Sequence, residues 1–263
     1  MRKIKSLMLF AMAAFVVGCS SGPKEAEQGS ANELYSKGAS ALQTGGYADA
    51  IRYLKAVTER FPGSAYQEQS MLDLIYANYK SQDYTQVLVT VDNFLHQFPQ
   101  SPNRDYAVYI AGLSNAAIGD NLIQDFFNID RATRETSSMR TAFSNFQNLV
   151  KTFPESPYSQ DAIVRMAYIK DALARHELEV AKFYAVRNAW VAVANRVVKM
   201  LEQYPDAKAT YEGLSLMKEA YSKIGLEELA NQTQQIIDAN QQREFPVIEK
   251  PAEPQVAVPM AVR

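Results

Sequence analysis

The chain has 263 residues, of which 47% are hydrophobic and 21% are charged, and its formal net charge is −2 at pH 7. This composition is typical of a globular protein, and the slightly acidic balance provides no basic field for nucleic acid. One cysteine and two distant histidines, His96 and His176, argue against a zinc site of the usual ligand types. The sequence has no GxGxxG, P-loop or GxSxG motif, so nothing in it proposes an enzyme. We therefore expect a binding protein with no catalytic residues, no metal and no cofactor.

The N-terminus has the order of an export signal. Basic residues stand near the start, an apolar stretch follows over residues 7–17, and small residues come next. A membrane-spanning helix needs about 20 apolar residues, so this stretch is too short to span a bilayer. We interpret residues 1–18 as a signal peptide that is removed from the mature chain.

Cys19 closes the run Val16-Val17-Gly18-Cys19, which resembles the lipobox of bacterial lipoproteins. In those proteins the cysteine receives a diacylglyceryl group and its new N-terminus is acylated. The alternative is an ordinary signal peptide with a chance cysteine, which would leave an exposed thiol. Ser20 stands where an Asp usually retains lipoproteins at the inner membrane. The resemblance therefore implies an outer-membrane protein facing the periplasm, with Cys19 carrying the lipid and residues 19–30 forming a Gly- and Ser-containing tether.

A recurring helix ending is the strongest internal pattern in the chain. An aromatic residue followed by proline closes four predicted units, at Phe61-Pro62, Phe98-Pro99, Phe153-Pro154 and Tyr204-Pro205. Proline cannot continue a helix and moves the preceding residue away from the helical region. Intervals near 34 residues with a helix–turn–helix body are typical of tetratricopeptide repeats. We expect an all-α tetratricopeptide-repeat (TPR) superhelix of about five units over residues 31–242.

The first unit fits the repeat closely. It has small residues where its two helices must approach, at Gly38 and Ala50, and Gly45-Gly46 falls at the turn between them. The second unit departs from the pattern, because Ile75 stands where glycine is usual. Residues 81–83 form its predicted turn.

The later units are longer than the usual repeat. In the third, helices are expected at residues 106–118 and 141–152, joined by a long, partly helical connection. The fourth should consist of two extended helices with a break near residues 185–188, since residues 160–204 contain no Pro and no Gly. The fifth covers residues 209–240, with Gly225 at its turn and the apolar residues Leu226, Leu229, Ile236 and Ile237 predicted to face inward. We place the N-terminal units at about 31–157 and the C-terminal units at about 158–242.

The segment 243–263 contains four prolines and few large apolar residues, so it is predicted to be a disordered tail.

With a lipobox, a short tether and five such units, the chain resembles the BamD (ComL, YfiO) family of lipoproteins of the outer-membrane β-barrel assembly (BAM) machinery. The resemblance is carried by residues 67–79 (QEQSMLDLIYANY), 103–131 and 187–205. It implies a non-enzymatic scaffold that promotes folding and insertion of outer-membrane proteins. The implied partners are a periplasmic POTRA domain of BamA, the lipoproteins BamC and BamE, and the C-terminal segments of unfolded outer-membrane proteins.

A ligand of stacked repeats usually lies in the groove lined by the first helix of each unit. Repeat counting places an aromatic set there in units one to three, and we take it as the candidate client-peptide groove: Tyr35, Leu72, Tyr76, Tyr79, Tyr106 and Tyr109, with Leu42 and Leu113 beside them. The alternative is that these side chains simply pack between helices. Lys37 and Lys80 are candidates to meet a terminal carboxylate, or are ordinary surface lysines. The corresponding positions of units four and five give an acidic set: Asp161, Tyr168, Asp171, Glu212 and Glu219.

A second candidate surface lies in the last two units. Trp190 is expected to pack between helices, with Arg196 and Lys199 turned outward. Arg196 suits an interfacial carboxylate. The alternative is a surface arginine whose stem covers apolar neighbours.

Two other functions remain open from the residues alone. One is another lipid-anchored periplasmic TPR adaptor of cell-envelope biogenesis or division. The other is a lipid-anchored enzyme, for which the sequence offers no cluster of catalytic residues.

Overall fold

The computed structural model describes residues 28–119 and 129–259, and within residues 129–135 only the backbone. Over these residues the chain is helical without strands, and the predicted all-α TPR architecture is confirmed. Ten helices form five antiparallel pairs: α1 (Ala31–Gln43) and α2 (Tyr47–Arg60); α3 (Gln67–Lys80) and α4 (Tyr84–Gln97); α5 (Arg104–Gly119) and α6 (Ile129–Thr152); α7 (Ser159–Val186) and α8 (Trp190–Gln203); α9 (Lys208–Lys223) and α10 (Glu227–Ala239).

The turn inside a unit has the same construction in units one, two, four and five. One residue adopts a left-handed backbone, with φ of 75° at Gly45, 62° at Gln82, 56° at Asn188 and 77° at Gly225. The amide of the next residue donates to a carbonyl five residues back, as from Gly46 to Ala41 at 2.8 Å. This is the Schellman ending of a helix, which reverses the chain within a few residues.

The aromatic–proline pairs end the second helix of units one to four, as predicted. Each of these helices stops one residue before the aromatic residue, whose amide still donates to the preceding turn, for example from Phe98 to the Phe94 carbonyl at 2.8 Å. The proline then excludes a further turn.

Two glycines set the spacing between paired helices. A Cβ at Gly38 would lie 2.7 Å from Cγ of Leu54 on α2, which confirms the predicted close approach in unit one. A Cβ at Gly112 on α5 would lie 2.6 Å from the ring of Phe146 on α6. The repeat pattern in the sequence did not predict this second close approach.

The fourth and fifth units have the predicted helices, with the break in unit four at residues 187–189. The predicted burial of the last helix is partly wrong. Leu226, Leu229 and Ile236 are 44%, 38% and 41% exposed, and Ala230 and Thr233 face the protein instead. These apolar residues stay exposed because no later helix in the described chain covers the outer side of α10.

The hydrophobic core is continuous from unit two to unit five, with smaller clusters between α1, α2 and α3. Each helix packs on its neighbours in sequence, and the first helices of successive units also meet, α1 with α3, α3 with α5, and α7 with α9. We call the surface formed by α1, α3, α5, α7 and α9 the groove face. Among the described helices none is long and apolar enough to span a bilayer. The same residues contain no group of three or more His, Cys, Asp or Glu placed to hold a metal ion.

Candidate functional site

An extended segment of the chain lies along the groove face. Residues 245–259, here called the tail, follow α10 without forming a helix. The Phe245 ring packs on Tyr211 of α9 with 4.9 Å between ring centroids. At the other end, Val256 and Val258 pack against the main core cluster, and Pro259 reaches α3. Residues 245–259 of the segment predicted to be disordered are therefore docked, because the groove face supplies the apolar contacts that the segment lacks by itself.

Two side chains hold the tail through its backbone. Gln69 Nε2 on α3 donates to the carbonyl of Pro259 at 3.1 Å, and Arg165 Nη2 on α7 donates to the carbonyl of Ala252 at 2.9 Å. Carbonyl oxygens are present at every residue, so such bonds recognise an extended chain without reading its side chains. Neither donor was identified from the sequence. The spacing of Asp161 and Arg165, four residues apart on one helix, was the available signal.

Arg165 is held rigidly beneath the tail. Its Nε donates to Asp161 Oδ2 at 2.5 Å, and the hydroxyl of Tyr109 donates to the same oxygen at 2.6 Å. Burial opposes the charged guanidinium, but the Asp161 carboxylate outweighs it and raises the pKa of Arg165. Burial, together with the hydrogen bond to Asp161, also raises the pKa of Tyr109. The site therefore presents a fixed, charged donor to a backbone carbonyl.

The predicted aromatic groove separates into two groups. Leu72 and Tyr106 are fully buried, so their assignment to the groove surface is wrong, and they belong to the core between helices. Tyr109 is 3% exposed and stacks on Tyr158 at 4.7 Å, so it acts only through its hydroxyl. The other members are half-buried and remain available at the surface: Tyr35, Tyr76 and Tyr79, with Leu42 beside them.

Tyr79 lies beneath the tail, where burial raises its pKa to about 12 and the nearby carboxylates of Glu253 and Asp161 add to the effect. Its ring lies 5.9 Å from that of Tyr84, between centroids. Tyr76 makes an edge contact with Tyr47 at 6.3 Å. These rings give the N-terminal half of the groove face an aromatic surface with hydroxyl groups.

Asp73 is a buried carboxyl at the α3 end of the groove. It is 4% exposed, and burial raises its pKa to about 6 in spite of hydrogen bonds from Gln69 and Tyr35. Gln69 thus bonds Asp73 at 2.9 Å and the tail carbonyl at once. The protonation of Asp73 is in this way connected to one of the two tail contacts.

The acidic set expected in the C-terminal half is largely neutralised. Asp161 pairs with Arg165, Asp171 with Arg175 at 2.8 Å, and Glu212 with Lys208 at 3.7 Å. Tyr168 is half-buried and Glu219 is exposed. Close to this set, the tail residues Phe245 and Ile248 line a cavity of about 280 Å³ together with Phe143, Met166, Lys170 and Asp171.

The second predicted surface is organised around a carboxylate that the sequence analysis missed. Glu177 on α7 is 3% exposed and pairs with Arg196 at 2.5 Å, Lys199 at 3.2 Å and Arg140 at 3.3 Å. Arg196 and Lys199 therefore do not simply turn outward, because Glu177 draws them inward. Burial alone would raise the pKa of Glu177, but Arg196 and Lys199 outweigh it and lower the pKa. A charged residue in the apolar phase of α7, between Ala174 and Ala181, was the available signal.

The cluster of Glu177, Arg140, Arg196 and Lys199 carries three cations and one carboxylate, so it is positive overall. The three cationic side chains keep 39%, 27% and 40% of their surface exposed, in the order Arg140, Arg196, Lys199. Trp190 packs into the small cluster of Val193, Ala194 and Ala220, as expected. Lys37 and Lys80 are exposed, and the Lys37 ammonium lies 5.8 Å from the centroid of the Tyr53 ring. Cys19 lies outside the described residues.

Comparison with known proteins identifies a family for the chain. A family model named YfiO, described as outer membrane lipoprotein, matches residues 27–236. The chain belongs to the YfiO family. The YfiO match stops before the tail.

Several relatives of this chain, from different organisms, share one name. The chain is 76% identical over 259 residues to the outer membrane protein assembly factor BamD of Haemophilus influenzae, and the alignment covers 98% of this chain and 99% of the relative. Identity to the protein of the same name from Pasteurella multocida is 62%, over 97% and 98% of the two chains. For the Vibrio cholerae protein it is 37%, over 90% and 99%. The H. influenzae alignment is long enough to include most of the tail.

Among solved structures, the TPR2AB-domain:pHSP90 complex of yeast Sti1 aligns with this chain at 15% identity and a TM-score of 0.36. The alignment covers 80% of this chain and 78% of the Sti1 chain.

Proposed function

We propose that this protein is an outer membrane protein assembly factor of the BAM complex, acting as a lipid-anchored scaffold on the periplasmic side of the outer membrane. Its similarity to the BamD proteins extends over nearly the whole of both chains. The anchor is the lipid on Cys19. The scaffold binds a POTRA domain of BamA, contacts BamC and BamE, and receives the C-terminal segments of unfolded outer-membrane proteins.

The observation that carries the client-binding role is the extended segment on the groove face. Gln69 and Arg165 hold backbone carbonyls, and the half-buried rings of Tyr35, Tyr76 and Tyr79 offer apolar surface with hydroxyl groups. An unfolded barrel strand has free carbonyls and alternating apolar side chains, so it meets both requirements. Backbone bonding also suits a receptor for many clients, because it does not depend on one sequence.

The positive cluster around Glu177 is our candidate for the contact with BamA. Arg196 and Lys199 are already oriented by the buried carboxylate, which lowers the entropy lost when they bind a partner. An acidic side chain of the partner would add a second carboxylate to a cluster that has an excess of positive charge. Charge–charge steering of this kind raises association rates and weakens with salt.

Photocrosslinking tests both surfaces in one series. A photoreactive residue at Tyr79 should crosslink an arrested outer-membrane client, and one at Lys199 should crosslink the large barrel subunit, each identified by mass. The exposed Lys55 on α2 lies off the groove face and serves as the control position. A Tyr79 probe that captures no client while Lys55 does would contradict the groove assignment.

Membrane fractionation with pull-down separates this function from that of another envelope adaptor. Recovery of a large β-barrel partner from the outer-membrane fraction is expected. Recovery of only cell-division or peptidoglycan-associated proteins would instead favour the adaptor.

A further inference from the structure

We propose that the groove face is a binding site for extended chain segments and that the tail fills it in cis, so that a segment arriving from another protein must displace residues 245–259. The proposal deepens the client-binding role above and names a built-in competitor. It rests on the contacts of the tail with three helices that are far apart in sequence.

The tail crosses the units in reverse order. Phe245 lies on α9, Ala252 on α7 and Pro259 on α3. At about 3.1 Å per residue for an extended, proline-containing chain, the tail can cover roughly 45 Å. It therefore occupies most of the length that an external segment would use.

The tail has a regular inward side. Half-buried residues recur at every third position from Phe245 to Pro254 and at every second position from there to Val258: Phe245, Ile248, Pro251, Pro254, Val256 and Val258. The residues between them are exposed, and Pro259, which follows Val258, is half-buried as well. A period of three is that of a polyproline-type helix and a period of two is that of a strand. Regular burial shows that the tail fits the groove face along its length and does not touch it at one point only.

The recognition uses features that another extended chain also has. The hydrogen bonds from Gln69 and Arg165 end on backbone carbonyls of the tail, and the inward side chains are apolar. No side chain of the tail takes part in these two bonds, so a segment of different sequence can form them equally well. An external segment with apolar residues at similar spacing is therefore a direct competitor for the same donors.

Attachment to α10 favours the tail strongly over a free peptide. A short connection gives an effective concentration on the order of millimolar, whereas external segments are far more dilute. The tail should thus weaken apparent binding of weak extended segments and leave the groove open to those that bind well or are delivered by a partner.

The test uses the full chain and two labelled peptides, with fluorescence anisotropy as the readout. One peptide has the sequence of residues 245–259. The other has about ten residues, the length of a membrane-spanning strand, with alternating apolar residues and a C-terminal phenylalanine. The variant Val256→Asp/Val258→Asp places charges on the inward side, and Ala257→Asp, between them on the exposed side, is the matched control. A chain ending at residue 242 is the second open form, and circular dichroism checks that all forms remain helical.

We expect both peptides to bind the two open forms at least about 10-fold more tightly than the parent chain or Ala257→Asp. Equal binding of the tail peptide to open and parent forms, or no binding to either, overturns the inference. Equal binding of the strand peptide to open and parent forms also overturns it, because the tail then does not compete. If the tail peptide behaves as expected and the strand peptide binds no form, the cis ligand stands and the proposed client-binding role fails.

Discussion

Gly112→Ala tests whether close contact between α5 and α6 determines the stability of the middle of the solenoid. The added Cβ would lie 2.6, 2.8 and 2.9 Å from three atoms of the Phe146 ring. Phe146 is fully buried, so the ring has no free space into which it can turn. Either the ring leaves its rotamer or the two helices move apart, and both responses disturb the core shared by units three and four.

The magnitude follows from two opposing effects. Overpacking a tight core typically costs about 1–3 kcal/mol, and a ring that cannot move belongs at the upper end. Replacing glycine by alanine within a helix returns about 1 kcal/mol through helix propensity. We therefore expect a net loss near 2 kcal/mol, which corresponds to a Tm lower by about 4–8 °C in a domain of this size.

Gly213→Ala is the matched control for this measurement. Gly213 is also a buried helical glycine, but a Cβ there would meet Val197 at 3.4 Å and nothing closer. Without a severe overlap, the gain in helix propensity should leave its Tm at the parent value or up to about 4 °C above it. Thermal unfolding followed by circular dichroism compares the two variants. If Gly112→Ala unfolds at the same temperature as Gly213→Ala, the spacing of α5 and α6 does not limit stability and the reasoning is wrong.

Four further predictions concern other parts of the molecule. Gln82→Gly should stabilise the protein by about 0.5–1 kcal/mol in thermal melts, because glycine adopts the left-handed backbone at this position without strain. Asn188→Gly should stabilise it less, because asparagine already tolerates that backbone, and equal effects would argue against strain at position 82. The pKa of Asp73 is raised from 3.8 to about 6, so the folded state binds this proton more tightly than the unfolded state, and the free energy of unfolding should fall by about 2–3 kcal/mol as pH rises through that interval. Asp73→Asn should flatten this part of a Tm–pH profile, and an unchanged slope would mean that another group causes the pH dependence. Glu177→Gln leaves the three facing cations without their carboxylate and should lower the free energy of unfolding by about 2 kcal/mol in denaturant titrations. This loss is smaller than that for breaking a fully buried ion pair, because the cations are partly exposed. A loss near zero would show that solvent already screens the cluster. Cys19→Ala should move the protein out of the membrane fraction with its circular dichroism spectrum unchanged, because only the lipid is lost, whereas unfolding would reveal a structural role for this residue.

Much of the fold was predictable because its determinants are local. The aromatic–proline pairs at the ends of units one to four stop their helices by their own stereochemistry, wherever the rest of the chain lies. The same is true of the left-handed glycines at Gly45 and Gly225 and of the close approach at Gly38. These signals recur along the chain, so the unit boundaries of a TPR protein and its membership of the YfiO family could be inferred from the residues alone.

The site itself was predictable only in part, because helical phase does not distinguish an inner surface from a core. Tyr76 and Tyr79 remained at the surface, whereas Leu72 on the same helix and Tyr106 on α5 are buried between helices. Glu177 gathers cations from α6 and α8, and no single segment contains that information.

The amino-acid sequence by itself determined the helices, their endings, the repeat architecture and the single cysteine beside a lipobox-like run. Only the tertiary structure decided where the tail lies and which apolar residues stay exposed. Residues 243–263 have too few large apolar side chains to fold alone, so their composition predicts disorder. Residues 245–259 lie in a defined position because three helices from different units bring Gln69, Arg165 and Tyr211 onto one face. Such a surface exists only after the units have stacked.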